Sequence, residues 1–426
     1  MQPAIPTYPL VQHRLDNGLT IAVVDNPTSP LAAINVTYRV GSRDEADGQH
    51  GLAHLFEHLM FQGSRHVAPG EHSSRISQLG GQSNASTDLD RTNYFQTVPH
   101  GAIEQVLWLE ADRMGSMPEA LSDAVAANER AVVAAEKEER ANQPYGELWT
   151  YALAALFPAD HPYHYPPIGL MEDLAACSLS DLEAFFTRHY SPANAVLTVA
   201  GKVEADAIVT QAERYFGGIT ARAVASRPNG AITAHRGEVH RHVDDAVPSP
   251  AVASFYQIPP APTSAQVAIA AACEILTGGA AARMQRTIVR EHHFAEGVQS
   301  FARDCSGGTS VAMFAGFVAD GSTTTEVLTA MDAEIAAFIA DGPSSEEVEI
   351  ARSRMQRALY SDLLTSGDIA DVVGENLAAF PDLAPLEFAA EQVARLDATA
   401  IQQAAASYLV TDNRAVIFFD AQERHE

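Results

Sequence analysis

The sequence predicts an α+β chain built as two similar halves, and three observations carry that expectation. Short β-rich runs are interspersed with amphipathic helical stretches through the first half, the pattern of layered sheet and helix. At 426 residues the chain exceeds what one hydrophobic core organises, so two or more domains are expected. Finally, a helix–strand unit near the middle recurs at the end, offset by about half the chain.

The elements follow in order. Thr20 to Asp25 is β-rich after the turn Asp16-Asn17-Gly18, and Leu31 to Val40 follows Pro30 as a second strand. Gly51 to Phe61 reads as a helix, because Leu52, Leu55, Phe56 and Leu59 give an i, i+3, i+4, i+7 apolar stripe. Arg75 to Leu79 reads as a short helix end closed by Gly80-Gly81, and Gln82 to Val98 as a strand with its approaches. Ile103 to Met114 and Asp123 to Asn142 read as helices, and the Pro/Gly-rich stretch Phe157 to Gly169 as loop. Ser180 to His189 is helical and Ala195 to Ala200 a buried strand.

That last unit is the one that recurs. Leu179-Ser180-Asp181-Leu182, Tyr190 and Asn194-Ala195-Val196 correspond to Leu396-Asp397-Ala398, Tyr408 and Asn413-Arg414-Ala415-Val416. Ala223 to Arg236 holds Pro228-Asn229-Gly230 and no apolar period, so it reads as a linker. The expected division is residues 1–222, a linker over 223–238, and residues 239–426.

Composition removes several function classes. A hydrophobic content of 46% with 19% charged residues describes a globular rather than a disordered chain. The formal net charge of −27 argues against nucleic acid as a partner, which needs a basic surface. No apolar run approaches a membrane span, so no membrane partner is expected. Met1 to Leu10 lacks the basic-then-apolar pattern of a signal peptide, and Cys177, Cys273 and Cys305 form no disulfide framework. A cytoplasmic location is the expectation.

The chemistry concentrates in His54-Leu55-Phe56-Glu57-His58. On a helix His54 and His58 lie one turn apart on one side, and two imidazoles so placed share a Zn²⁺. Glu57, three residues from His54, reaches the same site, where a carboxylate acts as general base toward water. A solvated His/Glu helix face is the plain alternative. Zinc needs a third protein ligand, and Glu129 to Glu136 supplies candidates. Glu129 and Glu136 share a face two turns apart, with Glu136 as ligand and Glu129 behind it orienting a histidine. Glu138 and Glu139 follow at once, and spacing alone leaves the choice among these carboxylates open.

With these residues in hand, the chain resembles the pitrilysin family of inverted zincins, whose signature is the order H-x-x-E-H. The resemblance runs through Tyr38-Arg39-Val40-Gly41-Ser42-Arg43-Asp44-Glu45, Gly51 to Phe61, Asn84-Ala85-Ser86-Thr87, Leu109-Glu110-Ala111-Asp112-Arg113-Met114, Glu129-Arg130 to Glu136, His161-Pro162-Tyr163 and Ile168-Gly169. It covers the first half well and the second more loosely. It implies two homologous pitrilysin-like (LuxS/MPP-like) α/β-sandwich domains in tandem, closing around a chamber. It also implies a zinc metalloendopeptidase acting on peptides or unfolded segments. The third ligand falls on Glu136, with 77 residues between it and His58, and the supporting carboxylate on Glu129. Asn84 and Ala85 fall on an edge strand that binds substrate backbone.

The second half departs from the family pattern. Self-sufficient members carry an Arg and, seven residues on, a Tyr that bind substrate near the zinc. In the matching stretch Ile288 to Val298, Val289 and Glu296 occupy those places, and Arg290 substitutes only with a one-residue slip. His292 and His293 are adjacent and point in different directions, so they read as surface histidines. The departure implies a homologous partner subunit supplying the Arg/Tyr pair, with this chain as the catalytic member of a heterodimer; a homodimer is the alternative. Two other tasks stay open: a dedicated leader-peptide maturation protease, and a non-catalytic structural core subunit.

Overall fold

The computed structural model describes residues 8–232, 237–380 and 384–421. The first half runs β1 (Leu10–Arg14), β2 (Thr20–Asp25), β3 (Leu31–Tyr38), α1 (Leu52–Leu59), α2 (Glu71–Gln78), β4 (Gln82–Thr87), β5 (Thr92–Pro99), α3 (Ile103–Ser116), α4 (Asp123–Ala141), α5 (Leu148–Leu156), α6 (Met171–Ala176), α7 (Leu179–His189), β6 (Ala195–Gly201) and α8 (Ala205–Phe216). The second runs β7 (Val239–Asp245), β8 (Ala251–Ile258), α9 (Ser264–Thr277), a π-helical stretch (Gln285–Glu291), β9 (Ala295–Arg303), β10 (Ser310–Val318), α10 (Thr324–Asp341), α11 (Ser345–Ser361), α12 (Ser366–Ala379), α13 (Ala384–Arg395), α14 (Ala398–Tyr408) and β11 (Arg414–Ala421). No helix among the described residues is long and apolar enough to cross a membrane.

The strands form two sheets, ordered β1-β2-β6-β3-β5-β4 and β7-β11-β8-β10-β9. Apart from β1 the two orders are the same. In each sheet the last strand of its half (β6, β11) pairs parallel with one neighbour and antiparallel with the other. The sequence repeat has a physical cause at the entry to these strands. Asn194 is buried and its side-chain amide donates to the carbonyls of Arg39 and His189. Asn413 repeats this toward the carbonyls of Gln257 and Tyr408. The preceding helices start alike, from the side-chain caps Ser178 and Asp397.

The chain forms two compact units that differ from the contiguous division expected from sequence. One contains residues 1–136, 165–228 and 359–384; the other contains 137–164, 229–358 and 385–426. The reason lies in the first sheet, whose strands are apolar on both faces. Ile21, Val23, Ile34, Val36, Leu197 and Val199 face the core shared with α1, α3, α7 and α8. Ala22, Val24, Ala33, Val196 and Ala200 point the other way, and α12 covers them with Ile369, Ala370, Val373 and Leu377. Period-2 alternation puts successive residues on opposite faces, so two layers of cover are needed. In the other unit α5 packs on the second sheet: Trp149 meets Phe255 and Phe301 edge-on or tilted at 5.5 and 5.6 Å.

One local expectation is corrected and one is met. Gln82 to Val98 is a hairpin of two strands, closed where the Asp88 N–H meets the Arg91 carbonyl at 2.8 Å. The helix end expected over Arg75 to Leu79 is the last turn of a helix that starts at Glu71, behind a left-handed Gly70, and is capped at Leu79. Of the expected linker, residues 223–232 and 237–238 carry no helix or strand, and 233–236 lie outside the described residues, as do residues 1–7 of the N-terminal segment.

Candidate metal centre

Helix α1 is short, and its position is set by what surrounds it. Leu52, Ala53, Leu55, Phe56 and Leu59 are all fully buried. Phe56 stacks on Phe185 at 5.1 Å and lies against Tyr190 at 5.3 Å. The N-terminal turn is held by Glu45, whose carboxyl accepts the N–H groups of Gly51 and Ala53, both at 2.8 Å. Burial pushes the Glu45 carboxyl well above its ordinary range. Gly51 enters the helix at φ +105°, where an L side chain is strained and a Cβ would stand 3.1 Å from the Ile168 carbonyl. At the other end the Tyr94 hydroxyl donates to the Phe56 carbonyl at 3.2 Å. Burying one face this completely turns His54, Glu57 and His58 to the other.

Helix α4 brings the carboxylates. Ala126, Glu129 and Val133 are its buried positions, and that stripe sets which side faces inward. Glu129 is 3% exposed and accepts from the Asn128 amide at 2.8 Å. Its other oxygen stands 3.7 Å from His58 Nδ1, within ion-pair reach though longer than a hydrogen bond. Two turns on, Glu136 Oε2 stands 3.5 Å from both His54 Nε2 and His58 Nε2. Glu138 and Glu139 are exposed.

These distances fit a zinc ion. Bonds of about 2.0–2.2 Å at tetrahedral angles put ligand atoms about 3.3–3.5 Å apart. Ligand atoms of His54, His58 and Glu136 lie within 4.8 Å of one another, the sole such group of three among the described residues. Two neutral imidazoles and one carboxylate are also the donor set of a catalytic zinc site, which keeps a fourth position open.

Glu57 is half-buried beside this triad. The Thr87 hydroxyl donates to its Oε2 at 2.6 Å. Burial raises the carboxyl above its ordinary value; the Thr87 hydrogen bond and His58 oppose that rise, and Glu136 adds to it. A carboxyl so placed holds a proton more readily than an exposed one, which suits a group that takes and returns one. Thr87 ends β4, and β4 is the outermost strand of its sheet. Asn84 is exposed on it, Ala85 is buried, and the Ala85 N–H meets the Asn84 side-chain oxygen at 2.9 Å. The outer edge of β4 therefore borders the triad through Thr87.

The structure thus brings together His54, Glu57, His58, Glu129 and Glu136, with Asn84 and Ala85 on the adjoining edge strand. Sequence reasoning left Thr87, Glu45 and Tyr94 without roles: the contacts of Thr87 and Tyr94 join residues 30 and 38 positions apart, and Glu45 acts through backbone N–H groups that carry no side-chain pattern. In the other unit Val289 ends up half-buried in the π-helical stretch and Glu296 exposed on β9. Arg290, His292 and His293 are exposed.

Comparison with known proteins agrees with this layout. Residues 20–160 match the family model described as insulinase (peptidase family M16), and residues 176–355 match the model described as the peptidase M16 inactive domain. The zinc protease PqqE of Helicobacter pylori is 32% identical over 302 residues, 68% of this chain and 65% of that protein. The mitochondrial-processing peptidase subunit beta of Blastocladiella emersonii is 29% identical over 204 residues, 48% of this chain and 43% of that protein. The crystal structure of a protease from Helicobacter pylori superposes with a TM-score of 0.89 at 26% identity, covering 97% of this chain and 100% of that one. The matches to the curated relatives span about two fifths to two thirds of those proteins' lengths. With the H-x-x-E-H helix inside the stretch that matches the peptidase model, and a second half that matches the inactive-domain model, the chain belongs to peptidase family M16, in the tandem arrangement of that family's N- and C-terminal domains.

Proposed function

We propose that this chain is a zinc metalloendopeptidase that hydrolyses peptides or unfolded segments, and that it serves as the catalytic subunit of a heterodimer. The observation that carries the first part is the single Glu136 oxygen at 3.5 Å from both imidazoles, with Glu57 on the same helix. His54, His58 and Glu136 hold the ion, and Glu129 positions His58. The Zn²⁺ they would hold would supply Lewis-acid chemistry, polarising a carbonyl and lowering the pKa of water toward ~7. Glu57 accepts the proton of the attacking water and delivers it to the leaving nitrogen. Thr87 keeps the carboxylate turned to the site. Substrate backbone pairs with the outer edge of β4 at Asn84 and Ala85 as an added strand.

The test is hydrolysis of a mixed fluorogenic peptide set by the zinc-loaded chain, beside Glu57→Gln. The variant should lose about 10²–10⁴-fold in rate while still binding one zinc per chain. Equal rates in the two proteins would overturn the assignment of Glu57.

The heterodimer rests on Val289 and Glu296 standing where self-sufficient members carry Arg and Tyr. It is supported by a relative named as the beta subunit of a processing peptidase. Purification from the native cell should recover a homologous companion; a fully active preparation of this chain alone refutes the pairing. The compartment we propose is the cytoplasm, in keeping with a chain whose only three cysteines are all buried; recovery in a periplasmic fraction would exclude it.

A further inference from the structure

The first unit encloses a second site that peptide hydrolysis does not use. A cavity of about 190 Å³ is lined by Arg39, Asp44, Glu45, Arg188, His189 and Arg227. Charge accounting around it leaves an excess of positive groups. Arg227 is satisfied by Asp44, with two parallel hydrogen bonds of 2.9 and 2.7 Å. Asp44 also accepts the Gly41 N–H at 3.0 Å and has Arg43 Nε at 3.9 Å, so it offers little to a further guanidinium. Glu45 is turned to the backbone of α1, accepting from Gly51 and Ala53.

Arg39 and Arg188 are left without a counter-charge among the described residues. One Arg39 nitrogen donates to the Leu377 carbonyl at 2.9 Å, a neutral acceptor. Its Nε is buried and makes no hydrogen bond. Burial first, then the charges of Arg227 and Arg14, hold the Arg39 guanidinium below its ordinary value, as expected where like charges converge. Arg188 is exposed at the rim. His189 is buried, and burial pushes its imidazole down to about 4, so it faces the cavity neutral, with one N–H to donate. A convergence of arginines stands out in a chain of net charge −27.

We propose that this cavity binds a small oxyanion of the phosphate class, held by Arg39 and Arg188 with His189 as a neutral donor. Planar guanidinium forks suit such oxygens. The volume sets the size of the ligand: pockets for drug-sized molecules run to ~300–1,000 Å³, so this one takes a free ion rather than a nucleotide or peptide. Ala225, Ser226, Arg227 and Pro228 form one wall, so a bound anion would fasten the start of the expected linker to the first unit.

The experiment is calorimetric titration of the zinc-loaded full-length protein with inorganic phosphate in low-salt buffer, beside R188Q and R39K. R188Q changes an exposed guanidinium and should fold and hydrolyse peptide as the parent does. The expected result is one saturable site, weakened at least ten-fold in both variants, with zinc content unchanged. Phosphate binding of equal strength in the parent and R188Q, or binding abolished by removing the zinc, or no saturable binding at all, would each overturn the proposal. A phosphoserine peptide is the second probe, and weaker binding than inorganic phosphate is expected. Tighter binding would overturn the assignment to a free ion.

Discussion

Replacing Glu129 by Gln isolates a charge that never touches the metal. The substitution keeps the shape of the side chain and its ability to accept from Asn128. It removes a negative charge 3.7 Å from His58 Nδ1 at a site only 3% exposed. Two unit charges at that separation attract by about 4.5 kcal/mol at an effective dielectric of about 20. A metal-bound imidazole carries only part of a positive charge, so about a third to a half of that figure applies, ~1.5–2.2 kcal/mol. This converts to a loss of roughly ten- to forty-fold in zinc affinity, inside the ~10–100-fold range for groups that orient a metal-bound histidine. The assay is competition against a chromophoric chelator at pH 7.5, with Glu138→Gln, on the exposed face of the same helix, as control. Zinc affinity within two-fold of the parent, or an equal loss in Glu138→Gln, would refute the reasoning, because the effect would then lie in net charge rather than at His58.

Three further outcomes follow from contacts elsewhere. His189 has a folded pKa of about 4 against an ordinary value of 6.5, so between those pH values the unfolded chain binds the extra proton. Stability should therefore fall as pH drops from 6.5 to 4, by a total on the order of 3 kcal/mol from this group, and His189→Gln should flatten that slope in denaturant titrations across the window. Glu347 titrates in the same direction but lower: its double hydrogen bond to Arg283 holds it at about 2. Its contribution, complete above about 4.5, should disappear only in strong acid, so Glu347→Gln should lower stability at pH 7 by an amount that shrinks as pH falls through 2. Gly374 of α12 has no room for a side chain, since a Cβ would stand 2.8 Å from the Thr37 hydroxyl and 3.2 Å from that of Thr198. Gly374→Leu should cost about 2–3 kcal/mol in denaturant unfolding, whereas a leucine at exposed Gly101, with nothing within 4 Å of its Cβ, should cost under about 1 kcal/mol.

What was legible in the sequence was the part of the site that one helix determines. The offsets of His54, Glu57 and His58 place them together before any tertiary contact is known. Glu136 was different. Its offset from Glu129 put the two on one face, but whether that face or the one bearing Glu138 and Glu139 met α1 depended on how α4 rolled on the core. The structure resolves this through Ala126 and Val133, whose burial turns the Glu129–Glu136 side inward. Alanine and valine lie all around α4, with Val132 exposed while Val133 is buried, which is why the periodicity did not decide it. Thr87 illustrates the other limit: it lies in a stretch that carries the family resemblance, but nothing in the sequence gives it a role, and only the hairpin, read from sequence as one strand, carries it to Glu57.

The same distinction explains why the compact units do not follow the two halves of the chain. In β2, β3 and β6 nearly every position is apolar, so the sequence does state that both faces of the first sheet are buried. It does not state which helix buries the second face. That helix must present small residues, because Thr37 and Thr198 bring the sheet surface close, and α12 answers with Ala370, Gly374 and Ala378 at successive turns. Its polar edge is matched too: Asp371 accepts from Asn35 and Asn93, two buried strand residues that otherwise sit on an apolar surface. A helix from the second half of the chain is thus as much a part of the first unit as α1 is. A fragment ending near residue 228 would expose Ala22, Val24 and Val196 to water and leave the Asn35 and Asn93 amides without Asp371, so the half carrying the candidate zinc site depends on residues from the half that carries none of the proposed ligands.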